Sequence, residues 1–145
     1  MKKITLLMLF LAGMQAYAQP SSIIISAPTD ATSVRITGPW WGWNPNGGPV
    51  AIKNSDGNWV ISFPASGTQM EYLIIVDGVQ ESLIDNASDG ECTARVEAGN
   101  INTDYWSFAN RIWKTTDPLT YTETYDSCVQ IASETAGVED IAANA

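Results

Sequence analysis

The sequence contains no histidine and only seven lysines and arginines. Without imidazole, the Ser-His-Asp and Cys-His nucleophile systems are excluded, and with them the commonest general base. Imidazole zinc sites go too, and two cysteines cannot build an all-thiolate one. Sixteen acidic residues against those seven cations give a formal net charge of −9 over 145 residues. Binding to a phosphate backbone needs a basic face, so no nucleic-acid partner is expected. No apolar run reaches the ~20 residues of a membrane span. Helical periodicity is also missing: no capped repeat of about ten residues stands between positions 20 and 130. No motif implies a cofactor or a resident metal.

What is present begins with a leader. Lys2 and Lys3 precede an apolar stretch, Ile4 to Met14, and Ala16-Tyr17-Ala18 has the small-x-small form of a signal-peptidase site. Residues 1–18 therefore read as a secretory signal peptide. Removing 18 residues from 145 leaves 127, and losing two lysines takes the charge from −9 to −11. In an oxidising compartment the even pair Cys92 and Cys128 is expected to form a disulfide.

The rest reads as strands. Ser22 to Ser26 and Ser33 to Thr37 are β-branched runs, the second alternating with period two. Val50 to Lys53 and Asn58 to Phe63 flank Asn54-Ser55-Asp56-Gly57, a tight-turn sequence. Glu71 to Val76 ends at Asp77-Gly78, and Val79 to Ile84 is expected to return as its hairpin partner. Residues 85–104 are polar and read as loop, Tyr105 to Trp113 alternates in part, and Leu119 to Tyr125 is strand-like. About seven short strands over ~100 residues predict an all-β antiparallel sandwich spanning 19–130. Residues 131–145 read as an acidic tail or linker.

The aromatic loop carries the most chemistry. Trp40, Trp41 and Trp43 stand in a Gly-, Pro- and Asn-rich segment, 38–49. Loops run over the surface, so three indoles there cannot all be core. One or two can fold inward as a lid; at least one is expected to lie on the surface. A flat indole matches the C–H face of a pyranose, while Asn and Gln side chains meet its hydroxyls. Covering about 100 Å² of apolar surface yields about 2.5 kcal/mol, much of it offset by ordering. A few such contacts predict dissociation constants of roughly micromolar to millimolar. A second aromatic group is Tyr105, Trp106, Phe108 and Trp113 around Asn110; on a strand, Trp106 and Phe108 would share a face with Asn110. The candidate sugar-binding residues are Trp40, Trp41, Trp43, Asn44, Trp106 and Asn110. Trp59 and Tyr72 read as core or sheet surface.

The order of VRITG, a loop ending GWNP, SDGNWVISF and MEYLIIVDG over residues 34–78 resembles the family-48 carbohydrate-binding modules. These are immunoglobulin-like domains of the early-set type that bind glycogen and starch. The resemblance implies that fold, and a stacking role for Trp43. It departs at two contacts: the second stacking Trp is replaced within Val79-Gln80-Glu81, and the strand Lys by Leu73. The ligand implied is thus a glycan other than starch, such as a β-glucan or an algal polymer. GPWWGWNPNGGPV, EYLIIVDGVQE and YWSFANRIW are similar to accessory modules of secreted bacterial polysaccharide-degrading proteins, and GVEDIAANA to the linker before their sorting domain. That likeness implies a secreted or cell-surface bacterial protein. Its expected partners are a polysaccharide and a glycoside hydrolase or surface glycan-utilisation complex.

Two rivals follow from the same residues. A protein-interaction or spacer domain would use the Trp loop as an interface anchor. A small glycoside hydrolase would need two carboxyl groups roughly 5–10 Å apart in a cleft, with Asp77, Glu81, Asp85, Asp89 and Glu91 as candidates. A solvated acidic surface is the plainer expectation for those carboxylates. The 85–91 segment partly matches a calcium loop, but Ala87 stands where a ligand is needed.

Overall fold

Short β-branched runs become strands in the computed structural model, which describes residues 21–118 and 120–131. The expected leader, 1–18, and the expected tail beyond Ile131 lie outside the described residues. The strands are β1 (Ser21–Ser26), β2 (Val34–Thr37), β3 (Ile52–Lys53), β4 (Trp59–Phe63), β5 (Gln69–Val76) and β6 (Val79–Gln80), then β7 (Ile101–Thr103), β8 (Ala109–Lys114), β9 (Thr120–Thr124) and β10 (Gln130–Ile131). Two single-turn helices, α1 (Ile84–Ser88) and α2 (Thr93–Glu97), stand between β6 and β7.

The strands form two sheets, ordered β10-β9-β1-β4-β3 and β2-β5-β8-β7, with β6 also on β5. The pairing is antiparallel throughout except that β1 runs parallel to β9. Alternation decides which side chains go inside. Ile23, Ile25, Ile61, Phe63 and Tyr121 from one sheet meet Val34, Ile36, Met70, Tyr72, Ile74 and Trp113 from the other in one core. Trp59 and Tyr72 are buried, which decides for the core between the two places their mid-strand positions allow. The architecture is an all-β sandwich. Seven strands have three residues or more; the excess over the expected number is three two-residue strands at sheet margins.

Two expectations need correction. The hairpin partner expected over Val79 to Ile84 stops at Gln80, because Glu81 turns its carboxylate inward to Arg111 and the chain then enters α1. The segment read as loop over 85–104 contains α1, α2 and β7. One turn of helix is too short to register as periodicity, and neither helix carries a side-chain cap. Leu83, Ala87, Ile101, Ala109 and the Cys92–Cys128 disulfide form a second small core there.

Buried charge joins the layers. Arg111 donates from Nε and Nη2 to Glu81, 2.8 Å each, and from Nη1 to Glu123 at 2.6 Å. Glu123 also accepts both terminal nitrogens of Arg95, at 2.7 and 2.6 Å, and the Tyr72 hydroxyl at 3.1 Å. Two arginines thus neutralise two glutamates. Glu81 and Glu123 are buried, contrary to the expectation of an acidic surface that is solvated throughout.

Removing Glu123 leaves two buried guanidinium groups without their shared carboxylate. Glu123→Leu is expected to lower stability by about 3–5 kcal/mol, read as a shift in the denaturant midpoint. Replacing both cysteines by serine opens a loop whose ends are 36 residues apart. The expected loss is roughly 3–4 kcal/mol, measured the same way.

Candidate functional site

The Trp loop sorts its three indoles by backbone geometry. Pro39 opens a 3-10 turn over Pro39–Trp41, where its fixed φ suits the first helical position. Trp40 and Trp41 are half-buried. Trp40 packs edge-on against Phe63 and Trp113, with centroids 6.1 and 5.6 Å apart, and Trp41 against Phe63 at 6.2 Å. These two close one end of the core. Gly42 and Trp43 then both adopt left-handed backbone, φ 62° and 56°. A bulky residue in that region is strained by about 1–2 kcal/mol. The bend turns Trp43 away from its neighbours and leaves it 39% exposed. Asn44 is exposed, but its Oδ1 accepts the Asn46 N–H at 2.9 Å and so shapes the loop. Gly48 has a different reason: a Cβ there would collide with the Ile36 carbonyl oxygen.

The second aromatic group is not on a strand. Asp104 Oδ1 accepts the backbone N–H groups of Trp106, Ser107 and Phe108 at 2.8, 2.7 and 3.2 Å, and Oδ2 takes the Ser107 hydroxyl. The chain therefore bends, with Tyr105 at φ 66°, and β8 begins only at Ala109. Trp106 thus does not share a strand face with Asn110. It stands 86% exposed on this loop. Trp113 is core, on the face opposite Asn110.

A groove of about 440 Å³ lies where the two loops converge. It exists because β5 runs out of neighbours. β8 pairs with β5 only over Gln69–Tyr72, and β6 only at Ile75 and Val76. Between them, Glu81 satisfies Ile74, donating its N–H to the Ile74 carbonyl at 2.9 Å and accepting the Ile74 N–H at 2.8 Å. The outer side of that gap is the groove, lined by Trp43, Leu73, Gln80, Ser82, Phe108 and Asn110, among others. Glu81 is the one carboxylate in the lining. Its two oxygens also hold Arg111 and the Asp126 N–H.

Of the sequence candidates, Trp43 and Asn110 meet at this groove, and Trp106 sits on the loop whose Ser107 and Phe108 line it. Trp40, Trp41 and Asn44 do not line it. Leu73, Gln80 and Ser82 were not singled out as contacts, although residues 73 and 79–81 are the positions at which the resemblance placed sugar contacts. Leu73, Gln80 and Glu81 at those positions line the groove.

The 85–91 segment is not an open ion loop. Asp85 lies in α1, and Glu91 accepts from Asn86 Nδ2, Ser127 Oγ and the Cys128 N–H at 2.8, 2.6 and 2.9 Å. Among the described residues, no group of three His, Cys, Asp or Glu converges as metal ligands. No described helix is long and apolar enough to cross a membrane.

No protein-family model matches the chain, and no curated protein matches it either.

Three surface carboxyls sit below their ordinary values because they accept hydrogen bonds as anions: Asp77 from Thr32 and Ser33, Glu91 from Ser127 and Asn86, and Asp104 from Ser107. A lowered folded value means the contribution is present above the ordinary value and lost as pH falls through the folded one. The thermal midpoint is expected to hold from about pH 7 to about pH 5 and to fall below that. Asp77→Asn and Asp104→Asn should each make the acid limb shallower.

Proposed function

We propose that this protein is a secreted, non-catalytic carbohydrate-binding module of immunoglobulin-like topology. It would act as an accessory to a polysaccharide-degrading enzyme or a surface glycan-utilisation complex. One observation carries the reading: a groove with an aromatic wall and neutral hydrogen-bonding groups, whose single carboxylate is occupied by Arg111. A pyranose offers C–H faces to Trp43, Leu73 and Phe108, and hydroxyls to Gln80, Ser82 and Asn110. The exposed Trp106 supplies a platform beside the groove, on a loop held by Asp104. Ordering these loops in advance reduces the entropic cost of binding. The left-handed backbone at Trp43 supports the same reading, since strain of this kind is retained where a side chain must be presented.

The topology is read from two features. The chain changes sheet between β1 and β2, between β2 and β3, between β4 and β5, and between β8 and β9. β1 and β9, the first and penultimate strands among the described residues, pair in parallel. Both suit a Greek-key sandwich. The glycosidase alternative would need a second carboxylate across the groove, and the lining offers only the ion-paired Glu81.

Electrophoresis through gels containing starch, laminarin, xylan, mannan or agarose tests the reading. The protein should be retarded by at least one polymer, equally at low and high salt. Trp43→Asn is the informative variant, because Asn tolerates left-handed backbone. It should hold its thermal midpoint and lose the retardation. Retardation in no gel, with self-association that disappears in Trp106→Ala, would overturn the glycan reading in favour of protein contact.

A further inference from the structure

Beyond the groove, the outer face of β5, β8 and β7 carries an ordered polar row. Asn102 and Asn110 are cross-strand partners on β7 and β8. Glu71 of β5, on the other side of β8 from Asn102, holds both, one oxygen accepting Asn102 Nδ2 and the other Asn110 Nδ2, each at 2.8 Å. Among the described residues, neither amide oxygen has a protein partner, nor does the second N–H of either amide. The carboxylate has thus fixed two amides that still present donors and acceptors to solvent. Asn110 belongs to this row and to the groove lining alike, so the two are continuous. Glu71 lies two residues along β5 from the groove residue Leu73, about 7 Å away. Ile112, paired with Glu71, adds apolar surface on the same face.

We infer that Glu71, Asn102 and Asn110 form a second subsite that takes the next sugar of a neutral oligosaccharide. The inference rests on the groove being a glycan site. Two adjacent hydroxyls of that sugar donate to the Glu71 carboxylate and amide oxygens, and accept from the remaining amide N–H groups. Ile112 meets a patch of its C–H groups. A sugar bearing a carboxylate or sulfate is disfavoured, because Glu71 places a like charge beside it. The ligand is therefore a neutral chain lying along the sheet, not a single sugar held end-on.

Titration calorimetry with oligomers of whichever polymer retards the protein, from disaccharide to hexasaccharide, tests this. Binding by the unmodified protein should tighten about tenfold along the series. Glu71→Gln and Asn102→Ala should each flatten the series to about twofold or less, and Asn102→Ala should leave the disaccharide unchanged. Trp43→Asn should weaken every member. If both subsite variants keep the full length dependence while Trp43→Asn loses binding, the second subsite is overturned and the groove reading stands. If no polymer retards the unmodified protein, both are overturned. A polar row that merely held β7 to β5 would lower the thermal midpoint when cut, without changing the length dependence.

Discussion

The guanidinium of Arg111 is the joint on which the two sheets turn. It is fully buried, and burial alone would weaken its hold on its proton. The hydrogen bonds and charges of Glu81, with the charge of Glu123, more than offset that and hold it above its ordinary value. The remaining capacity of Nη2 goes to the carbonyls of Thr124 and Ser127. One side chain on β8 thereby fixes the end of β6, the face of β9 and the turn after it. Hydrophobic groups of equal volume could give similar stability. What ions add is direction: Arg111 is satisfied only if Glu81 turns inward, and that inward turn stops β6 and opens the gap in β5. The groove is thus a by-product of solvating a buried cation with protein.

The two ends of the domain are built by different chemistry. At one, Trp40, Trp41, Phe63 and Trp113 interlock as edge-on rings. At the other, α1, α2 and the disulfide hold a small satellite core. Tyr72 connects ring chemistry to charge. Its hydroxyl reaches Tyr121 and Glu123, and burial followed by the Glu123 charge raises its ionisation well above the ordinary value. Leu83, Ile84 and Ala109 of the satellite core line the site, so that wall is set by packing and not by the loops alone.

Strand order in sequence was legible because its signals are local. Asp77-Gly78 has the paired left-handed backbone that an Asp-Gly hairpin turn needs, φ 49° and 81°. The Asn54–Gly57 turn and the alternation of β4 were equally plain. The charge chain was not legible. Bonded partners among Glu81, Arg95, Arg111 and Glu123 lie 12 to 30 positions apart. No periodicity marks such a set, and an acidic composition disguises its carboxylates as surface. For the same reason the bend before β8 was missed: one Asp at position 104 captures three N–H groups that a strand would have used. Disulfide pairing needed only the count of cysteines; the helices it anchors were too short to show.

The parallel pairing of β1 with β9 has a mechanical consequence. Tension applied at the beginning of β1 and beyond β9 slides the two strands past each other, loading Ser22–Ser26 against Thr120–Thr124 all at once. Antiparallel neighbours pulled from a shared end would instead peel bond by bond. The bridge between Cys92 and Cys128 then acts as a bypass. Once that pairing has given way, load arriving at Cys128 crosses to Cys92, and residues 93–127, with the Trp106 loop, β8 and β9, cannot be drawn out. One wall of the groove, Phe108 and Asn110, therefore lies within the closed loop, and the other, Trp43, Leu73 and Gln80, in chain that can be extended.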